Sequence, residues 1–195
     1  MSKYYFELCK NSEREKIYRF WYEIYFKEMG RNADYANHDK RIIYDELENS
    51  SEIIIVKNKD NEIIGTSRIN LRMPPNSNLG YYDKLYDLKS FNDDRVGIIT
   101  RYMIRKEYRK TSVGFNLAVA TFYFFIKNHI KWGVMDCSPI LYKYFEKIGF
   151  ESHLGVVKHP EYGEVKIMKF NTMTKKTVPL NDPLNFSRIK KYILF

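Results

Sequence analysis

Gly97-Ile-Ile-Thr-Arg-Tyr-Met-Ile-Arg105, Lys106-Glu-Tyr-Arg-Lys-Thr-Ser-Val113 and an apolar run from Gly114 to Ile130 follow one another without a break, and Trp132-Gly-Val-Met-Asp-Cys137 comes next. The first stretch is β-branched and aromatic, as strands are. The second is polar, the third is long and apolar enough for a buried helix, and the fourth reads as another short strand. Strand, loop, helix and strand in that order form a crossover, which predicts two locally parallel strands with the helix packed on their sheet.

Working outward, Ser12 and Glu15 have capping-box spacing, and Ile17, Phe20, Trp21, Ile24, Tyr25 and Met29 recur at three or four residues before Gly30. That is an amphipathic helix with a stop signal. Arg31–Asn49 is polar and is read as a loop with a short helix around Lys40–Leu47. Glu52–Lys57 and Glu62–Leu71 read as two strands joined by the tight turn Asn58-Lys-Asp-Asn61. Arg72–Val96 carries Pro74-Pro75 and predicts a long, functional or mobile loop with a helical turn near Tyr82–Leu88. Downstream, Pro139 opens a second helix over Ile140–Ile148, with Gly149 just past its end. Ser152–Lys158 and Glu164–Phe170 read as two last strands around His-Pro-Glu-Tyr-Gly, and Asp182-Pro183 as the start of a terminal helix. No repeat and no Gly- or Ser-rich linker divides the chain. The expectation is one domain over residues 1–195, with 172–195 as a C-terminal extension.

The 195 residues suffice for one substantial core, and the 44% hydrophobic and 29% charged content excludes disordered and low-complexity classes. Aromatic residues reach 16%, which suits a core or pocket lined by flat rings. The formal charge of +9 favours anionic partners without choosing among them. Met1–Lys16 lacks the apolar core of a secretory signal, so a cytoplasmic location is expected. The run Leu117–Ile126 is about half of a membrane span, so no span is expected. Cys9 and Cys137 form no CxxC pair, and His38, His129, His153 and His159 never take metal-ligand spacing. Neither a disulfide framework nor a catalytic metal is expected.

Arg109-Lys-Thr-Ser-Val-Gly114 falls at the N-terminus of the long helix, where free backbone amides and the positive end of the helix dipole can hold a pyrophosphate or a phosphopantetheine phosphate. The plain alternative is a basic turn that solvates its own charges. Asp45 and Glu48, three apart, would share a helical face opposite Arg68 and Arg101 on neighbouring strands. These four read either as recognition groups for an amine and a carboxylate or as a structural ion-pair network. Cys137-Ser138 ends a strand with no His nearby in sequence to activate a nucleophile, and Cys137 reads as a buried strand residue. Phe122–Phe125 reads as helix-sheet core in preference to an acyl tunnel with Tyr102 and Ile104.

With these elements in order, Ile104–Gly114 resembles the acyl-donor motif of the GNAT superfamily of N-acyltransferases, a strand leading through an Arg-x-x-Gly-x-Gly loop into a helix. Ser112 stands where the first Gly is usual. Leu141-Tyr-Lys-Tyr-Phe-Glu-Lys-Ile-Gly-Phe150 is similar to a second family element, with Phe145 where many members carry a thiolate-protonating Tyr. Tyr22–Gly30, Asp45–Glu48, Gly65–Ile69 and Thr100-Arg101 are similar to the acyl-homoserine-lactone (autoinducer) synthases and the long-chain N-acyl amino acid synthases, over about residues 14 to 152. Glu23 replaces a common Arg, Glu48 a second Asp, and Ile98 a Glu of that branch, a loss that argues against homoserine-lactone chemistry.

The resemblance implies a bacterial GNAT-like α/β (α+β) fold, a mixed central sheet with a splayed parallel strand pair flanked by helices. It implies an N-acyltransferase moving a medium- or long-chain fatty acyl group from an acyl carrier protein or acyl-CoA pantetheine thioester to a primary amine such as an amino acid, small amine or peptide. Asp45, Glu48, Arg68 and Arg101 would be its catalytic residues. Tyr102, Met103, Ile104, Arg105, Arg109, Lys110, Thr111, Ser112, Val113, Gly114 and Phe145 would hold the donor, and Arg105, Lys106, Arg109 and Lys110 would dock an acidic carrier. Partners would be acyl carrier protein or coenzyme A and a small-molecule amine acceptor, with the chain a monomer or homodimer. Competing readings are an acetyl-CoA-dependent acetyltransferase of a small amine or protein lysine, a ligand sensor without activity, and a nucleic-acid module. The last is disfavoured because the basic residues are spread along the chain.

Overall fold

A computed structural model describes residues 4–31, 33–72, 79–92, 95–174, 187 and 190–195. Nine strands occur among them: β1 (Tyr4–Leu8), β2 (Ala36–Asn37), β3 (Ile42–Ile43), β4 (Ser51–Asn58), β5 (Ile63–Arg72), β6 (Val96–Ile104), β7 (Trp132–Cys137), β8 (Glu151–His159) and β9 (Gly163–Asn171). The α-helices are α1 (Arg14–Tyr22), α2 (Tyr81–Leu85), α3 (Val113–Lys127) and α4 (Tyr142–Lys147). Seven strands form one sheet in the order β1-β4-β5-β6-β7-β9-β8, and β2 pairs with β3 apart from it.

The crossover expected from residues 97–137 is present: β6 and β7 are parallel, registered from Val96↔Trp132 to Ile99↔Met135. Their ladder stops after these four pairs, although β6 runs on to Ile104 and β7 to Cys137. The neighbouring β7/β9 and β8/β9 pairs are antiparallel. The sheet is therefore mixed, as the sequence predicts.

The chain divides into two compact units. The first comprises Met1–Arg68, Arg101–Thr121 and Ile189–Phe195. In it β1 pairs with β4 from Tyr4↔Asn58 to Leu8↔Ile54, and α1 buries Ile17, Phe20 and Trp21. The β4–β5 turn closes as expected, with Asn61 in the left-handed region at φ 64°. Three features differ from the sequence reading. Tyr4–Leu8 is a strand whose outer edge meets the chain's end, Phe6 N–H donating to Tyr192 O at 2.8 Å and Leu194 N–H to Phe6 O at 2.8 Å. Five residues are too few for a period to stand out. The helix begun at Arg14 passes into a π-helical segment, Glu23–Glu28, before Gly30. Residues 40–47 do not form the expected short helix: they hold β3 and the start of a 3₁₀ turn, Glu46–Ser50.

The second unit comprises Ile69–Thr100 and Phe122–Arg188. Its core is aromatic, with Phe122 4.3 Å and Phe125 5.0 Å from Phe170, ring to ring. Two glycines make room for it. A Cβ on Gly97 would lie 2.5 Å from Phe125 Cζ, and one on Gly133 would lie 2.0 Å from Phe170 Cε1, so strands β6 and β7 carry no side chain under these rings. Phe122–Phe125 thus serves as core. The helical turn expected near residue 82 is α2, while Pro74-Pro75 lies outside the described residues. Gly149 ends the α4 region at φ 100°, as its place in the sequence predicts. The start of the terminal helix expected from Asp182-Pro183 also lies outside the described residues, and Ser187 and Lys190, farther along it, are helical. Among the described residues no helix is long and apolar enough to cross a membrane.

Candidate active site

The first unit assembles two groups of the residues singled out in the sequence. One is a buried charge cluster. Asp45 is not inside a helix but caps the 3₁₀ turn from extended geometry, accepting the Leu47 N–H at 3.1 Å, while Glu48 sits one 3₁₀ turn later. The shared helical face expected for them is therefore replaced by a cap and a turn, yet both carboxylates still converge on one guanidinium. Arg68 Nη1 donates to Asp45 Oδ1 at 2.6 Å and also to Glu48 Oε1. Arg101 Nη2 donates to the other oxygen of Asp45 at 3.1 Å and to the Tyr35 hydroxyl at 2.5 Å. Arg14 reaches the Glu48 carbonyl at 2.9 Å.

Aromatic faces enclose the cations. Trp21 lies 5.5 Å from the Arg68 guanidinium and 5.7 Å from that of Arg101, and Tyr25 lies 5.2 Å from Arg101. At these separations the ring quadrupoles add to the carboxylates in holding two like charges side by side. Arg101 also stands at φ 49°, a left-handed backbone inside a strand, which costs about 1–3 kcal/mol unless its surroundings fix it. They do so at both ends: Trp21 Nε1–H donates to Thr66 Oγ1 at 2.9 Å, and that hydroxyl donates to the Arg101 carbonyl at 2.9 Å.

The carboxylates respond in opposite directions. Burial would raise the Asp45 carboxyl, but Arg68 and Arg101 outweigh it and hold it below its ordinary value. For Glu48 burial prevails over Arg68, aided by the charge of Asp45, and the carboxyl is raised. With Arg68 only 1% exposed and each carboxylate oxygen that faces it already accepting, this cluster is built to hold shape more than to exchange protons.

The second group is the strand end, loop and helix start over residues 102–114. Tyr102, Met103 and Ile104 are half-buried, and the Tyr102 hydroxyl donates to the Gly114 carbonyl. Gly65 lets β5 approach this strand: a Cβ there would lie 3.2 Å from the Met103 carbonyl oxygen. Arg105 is tied down through its N–H to Ile64 O at 2.9 Å. Arg109 pairs with Glu28 and donates through Nε to Ile104 O at 2.9 Å, so it folds the loop back on itself, whereas Lys106 and Lys110 are exposed. Thr111 Oγ1 donates to Tyr108 O at 2.7 Å and accepts the Val113 N–H at 3.3 Å. Ser112 Oγ meets the Tyr4 hydroxyl at 2.6 Å, and its carbonyl accepts the Asn116 N–H at 2.9 Å. That leaves the amides of Gly114 and Phe115, in the first turn of α3, without an acceptor among the described residues. Loop and helix start together set these two amides at the positive end of the α3 dipole.

Phe145 is not brought into this group. It belongs to the second unit, 3% exposed, with its ring 5.4 Å from Phe150. Ile98, at the position where the related branch carries Glu, is fully buried and registered with Val134. Neither cysteine is an activated thiol: burial pushes both Cys9 and Cys137 up to about 11, and Cys137 Sγ lies 3.3 Å from Met168 Sδ. Trp21, Tyr25, Tyr35 and Thr66 were not singled out from the sequence as site residues. Trp21, in α1, and Tyr25, in the π-helical segment that follows, sit four apart in one apolar stripe, and such a stripe reads as core.

The family model for the N-acyl amino acid synthase FeeM matches residues 16–171, well over half of the chain. The chain belongs to this family of N-acyl amino acid synthases. It is an acyltransferase that carries acyl groups to an amine, and its fold is GNAT-like. FeeM itself, from uncultured soil microbes, superposes with a TM-score of 0.72 at 10% identity, over 93% of this chain and 98% of that one. BjaI, a CoA-dependent acyl-homoserine lactone synthase solved with SAM and isopentyl-CoA, gives 0.74 at 11% identity over 97% and 92%. A putative N-acetyltransferase from Lactobacillus plantarum gives 0.61 at 13% identity over 88% and 100%. At such identities the structural likeness speaks for the fold alone. No curated protein sequence matches the chain.

Proposed function

We propose that this synthase moves a medium- or long-chain fatty acyl group from a pantetheine thioester, of coenzyme A or of acyl carrier protein, onto the amine of an amino acid or comparable small amine. The observation that carries the donor half is the start of α3, where the Gly114 and Phe115 amides have no acceptor among the described residues at the positive end of a 15-residue helix, after a basic loop. A phosphate of the pantetheine arm is the complement of those two amides. Tyr102–Ile104 then offers strand backbone along which the arm can pair, and the neighbouring synthase BjaI, solved with an acyl-CoA, supports the choice of donor class.

The acceptor must attack as a neutral amine, since an ammonium has no lone pair. The new C–N bond forms as the C–S bond breaks, the amine's proton passes to a base or water, and the thiolate leaves. A backbone N–H facing the carbonyl oxygen stabilises the tetrahedral oxyanion. Burial raises both thiols and no base among the described residues is paired with either, so the reading is direct transfer, without an acyl-cysteine. Asp45 and Glu48, bound to Arg68 and Arg101, act as positioning residues that fix the left-handed turn of Arg101 and so the path of the strand beyond it.

The test is free-thiol release from C2 to C16 thioesters with a panel of amino acids, paired with mass spectrometry of extracts from overproducing cells. An acylated amine that appears with the protein and disappears with Arg101→Ala is expected. Turnover confined to acetyl thioesters would overturn the fatty-acyl reading. Gly114→Val is expected to weaken donor binding about tenfold or more by crowding the helix start, with thermal stability largely kept; unchanged affinity would refute the placement of the phosphate.

A further inference from the structure

In the second unit, helix α4 and the 3₁₀ turn before it, Pro139–Leu141, are apolar on two sides. The inward side is ordinary core: Phe145 and Ile148 are buried, and the Phe145 ring stands 5.4 Å from that of Phe150. The outward side is the unusual one. Ile140 is 90% exposed, Leu141 48% and Tyr144 38%, just past the end of β7. Val156, at 51%, borders them, because it is registered with Lys166, whose ammonium lies 3.8 Å over the ring of Tyr142.

The backbone holds these side chains out. Leu141 N–H donates to Ser138 O at 2.8 Å, closing a tight first turn that the fixed φ of Pro139 favours, and buried Phe145 pins the helix behind it. Ile140 and Tyr144 are four apart, as are Lys143 and Lys147, so an apolar row and a basic row run side by side. Both lysines are exposed, and neither makes an ion pair among the described residues. The carboxylate of the same helix, Glu146, accepts the Tyr142 hydroxyl at 3.3 Å.

Single exposed apolar side chains are normal, but a run of them beside uncommitted cations marks an interaction surface. Its occupant follows from shape and charge. At 90% exposure Ile140 touches almost nothing of its own chain, so it stands out as a knob and needs a medium that yields around it. The acyl layer beneath lipid headgroups yields in this way. Lysine stems can lie along that layer with their ammonium groups at anionic phosphates, and a tyrosine, apolar in its ring and polar at its hydroxyl, suits the boundary.

We propose that Ile140, Leu141 and Tyr144, flanked by Lys143 and Lys147, seat this protein on an anionic lipid bilayer. The aliphatic side chains enter just below the headgroups, and the two ammonium groups meet lipid phosphates. This goes beyond the functional reading above and uses no step of the reaction. A fatty acyl product of that reaction would be released where it dissolves.

The experiment is co-sedimentation of the full chain with vesicles of phosphatidylcholine alone and of phosphatidylcholine mixed with phosphatidylglycerol, with thermal unfolding as the control for folding. Binding to the mixed vesicles well above that to the neutral ones, and weakened by salt, is expected. The double variant Ile140→Ser with Leu141→Ser should weaken it about tenfold or more, since several methyl and methylene groups lose their place in the acyl layer. Lys143→Gln and Lys147→Gln should each weaken binding to the mixed vesicles about fivefold. All four side chains are exposed, so unfolding temperatures should stay within a degree or two, about the scatter of surface substitutions. No binding to either vesicle, or binding undiminished by the serine pair, would overturn the proposal. A lipid-free dimer that the serine pair abolishes, or binding of acyl carrier protein that it abolishes in place of lipid binding, would assign the surface to a protein partner and overturn it as well.

Discussion

Two regions of the first unit use the same side chains to opposite ends. Arg68 and Arg101 are buried, carry two carboxylates between them and lie against Trp21, so their charge is spent inside the molecule. Arg105 to Lys110 stand at a surface where Arg109 makes one ion pair, with Glu28, at 39% exposure, and Lys106 and Lys110 face water. Burial separates the roles. In low dielectric a guanidinium has to be held by opposite charge, as Asp45 and Glu48 hold this pair, and such a cluster is stiff; at the surface the same group is screened, and its partner can be exchanged for a ligand's phosphate. The difference explains why a net charge of +9 says little about where a site is: the most engaged arginines are those least available to an anion.

The sharpest way to break this contrast is Arg68→Ala. It would strand Asp45 and Glu48 without their shared cation, and a loss of about 3–5 kcal/mol in urea unfolding is expected. A loss below about 1 kcal/mol would show that the cluster is not holding the fold. Next in size is Thr66→Val, which removes the hydroxyl between Trp21 and the Arg101 carbonyl and leaves two buried polar groups unmatched. About 1–3 kcal/mol is expected, with Arg101 released from its left-handed backbone.

Acid titration of stability probes the same cluster with the sign worked out. The Asp45 carboxyl is lowered in the folded chain, so its contribution is complete above the unfolded carboxyl value and is lost as pH falls through the folded one. Glu13 behaves alike, lowered chiefly by its hydrogen bond to Lys57. Glu48 is raised, so it opposes them: its share of stability declines as pH rises from the unfolded value through the folded one. Asp45→Asn is therefore expected to be less stable than wild type at pH 7 and to have a flatter acid limb. An unaltered slope between about pH 5 and pH 2 would refute the assignment.

The crossover from Gly97 to Cys137 was legible because period, length and order agree: a β-branched run, a polar loop and a long apolar helix have few other solutions. So was the convergence of Arg68 and Arg101 on Asp45 and Glu48, since strand order brings them together whatever the local turn. The 3₁₀ cap at Asp45 was not legible, because a polar stretch carries no hydrophobic period to separate a cap from a helix. Trp21 and Tyr25 were hidden for the reverse reason, as a buried stripe looks the same whether it packs on leucines or on guanidinium groups. Tyr4–Leu8 needed its partner β4 to be recognisable as a strand.

The smallest effect tests the other half of the contrast. Arg109→Ala removes the pair with Glu28 and the Nε bond to the Ile104 carbonyl, both at the surface. Exposed pairs contribute up to about 1 kcal/mol and are screened by salt, so a stability loss within that limit is expected, shrinking further in high salt. Donor binding should respond differently. The Gly114 and Phe115 amides do not depend on Arg109 for their direction, since α3 itself aims them, but the loop leading into the helix does. A several-fold drop in acyl-CoA affinity alongside a nearly unchanged unfolding curve would place Arg109 as an organiser of the loop. If stability fell by as much as in Arg68→Ala, exposure would not be what divides the two regions, and the distinction between spent and available charge would have to be abandoned.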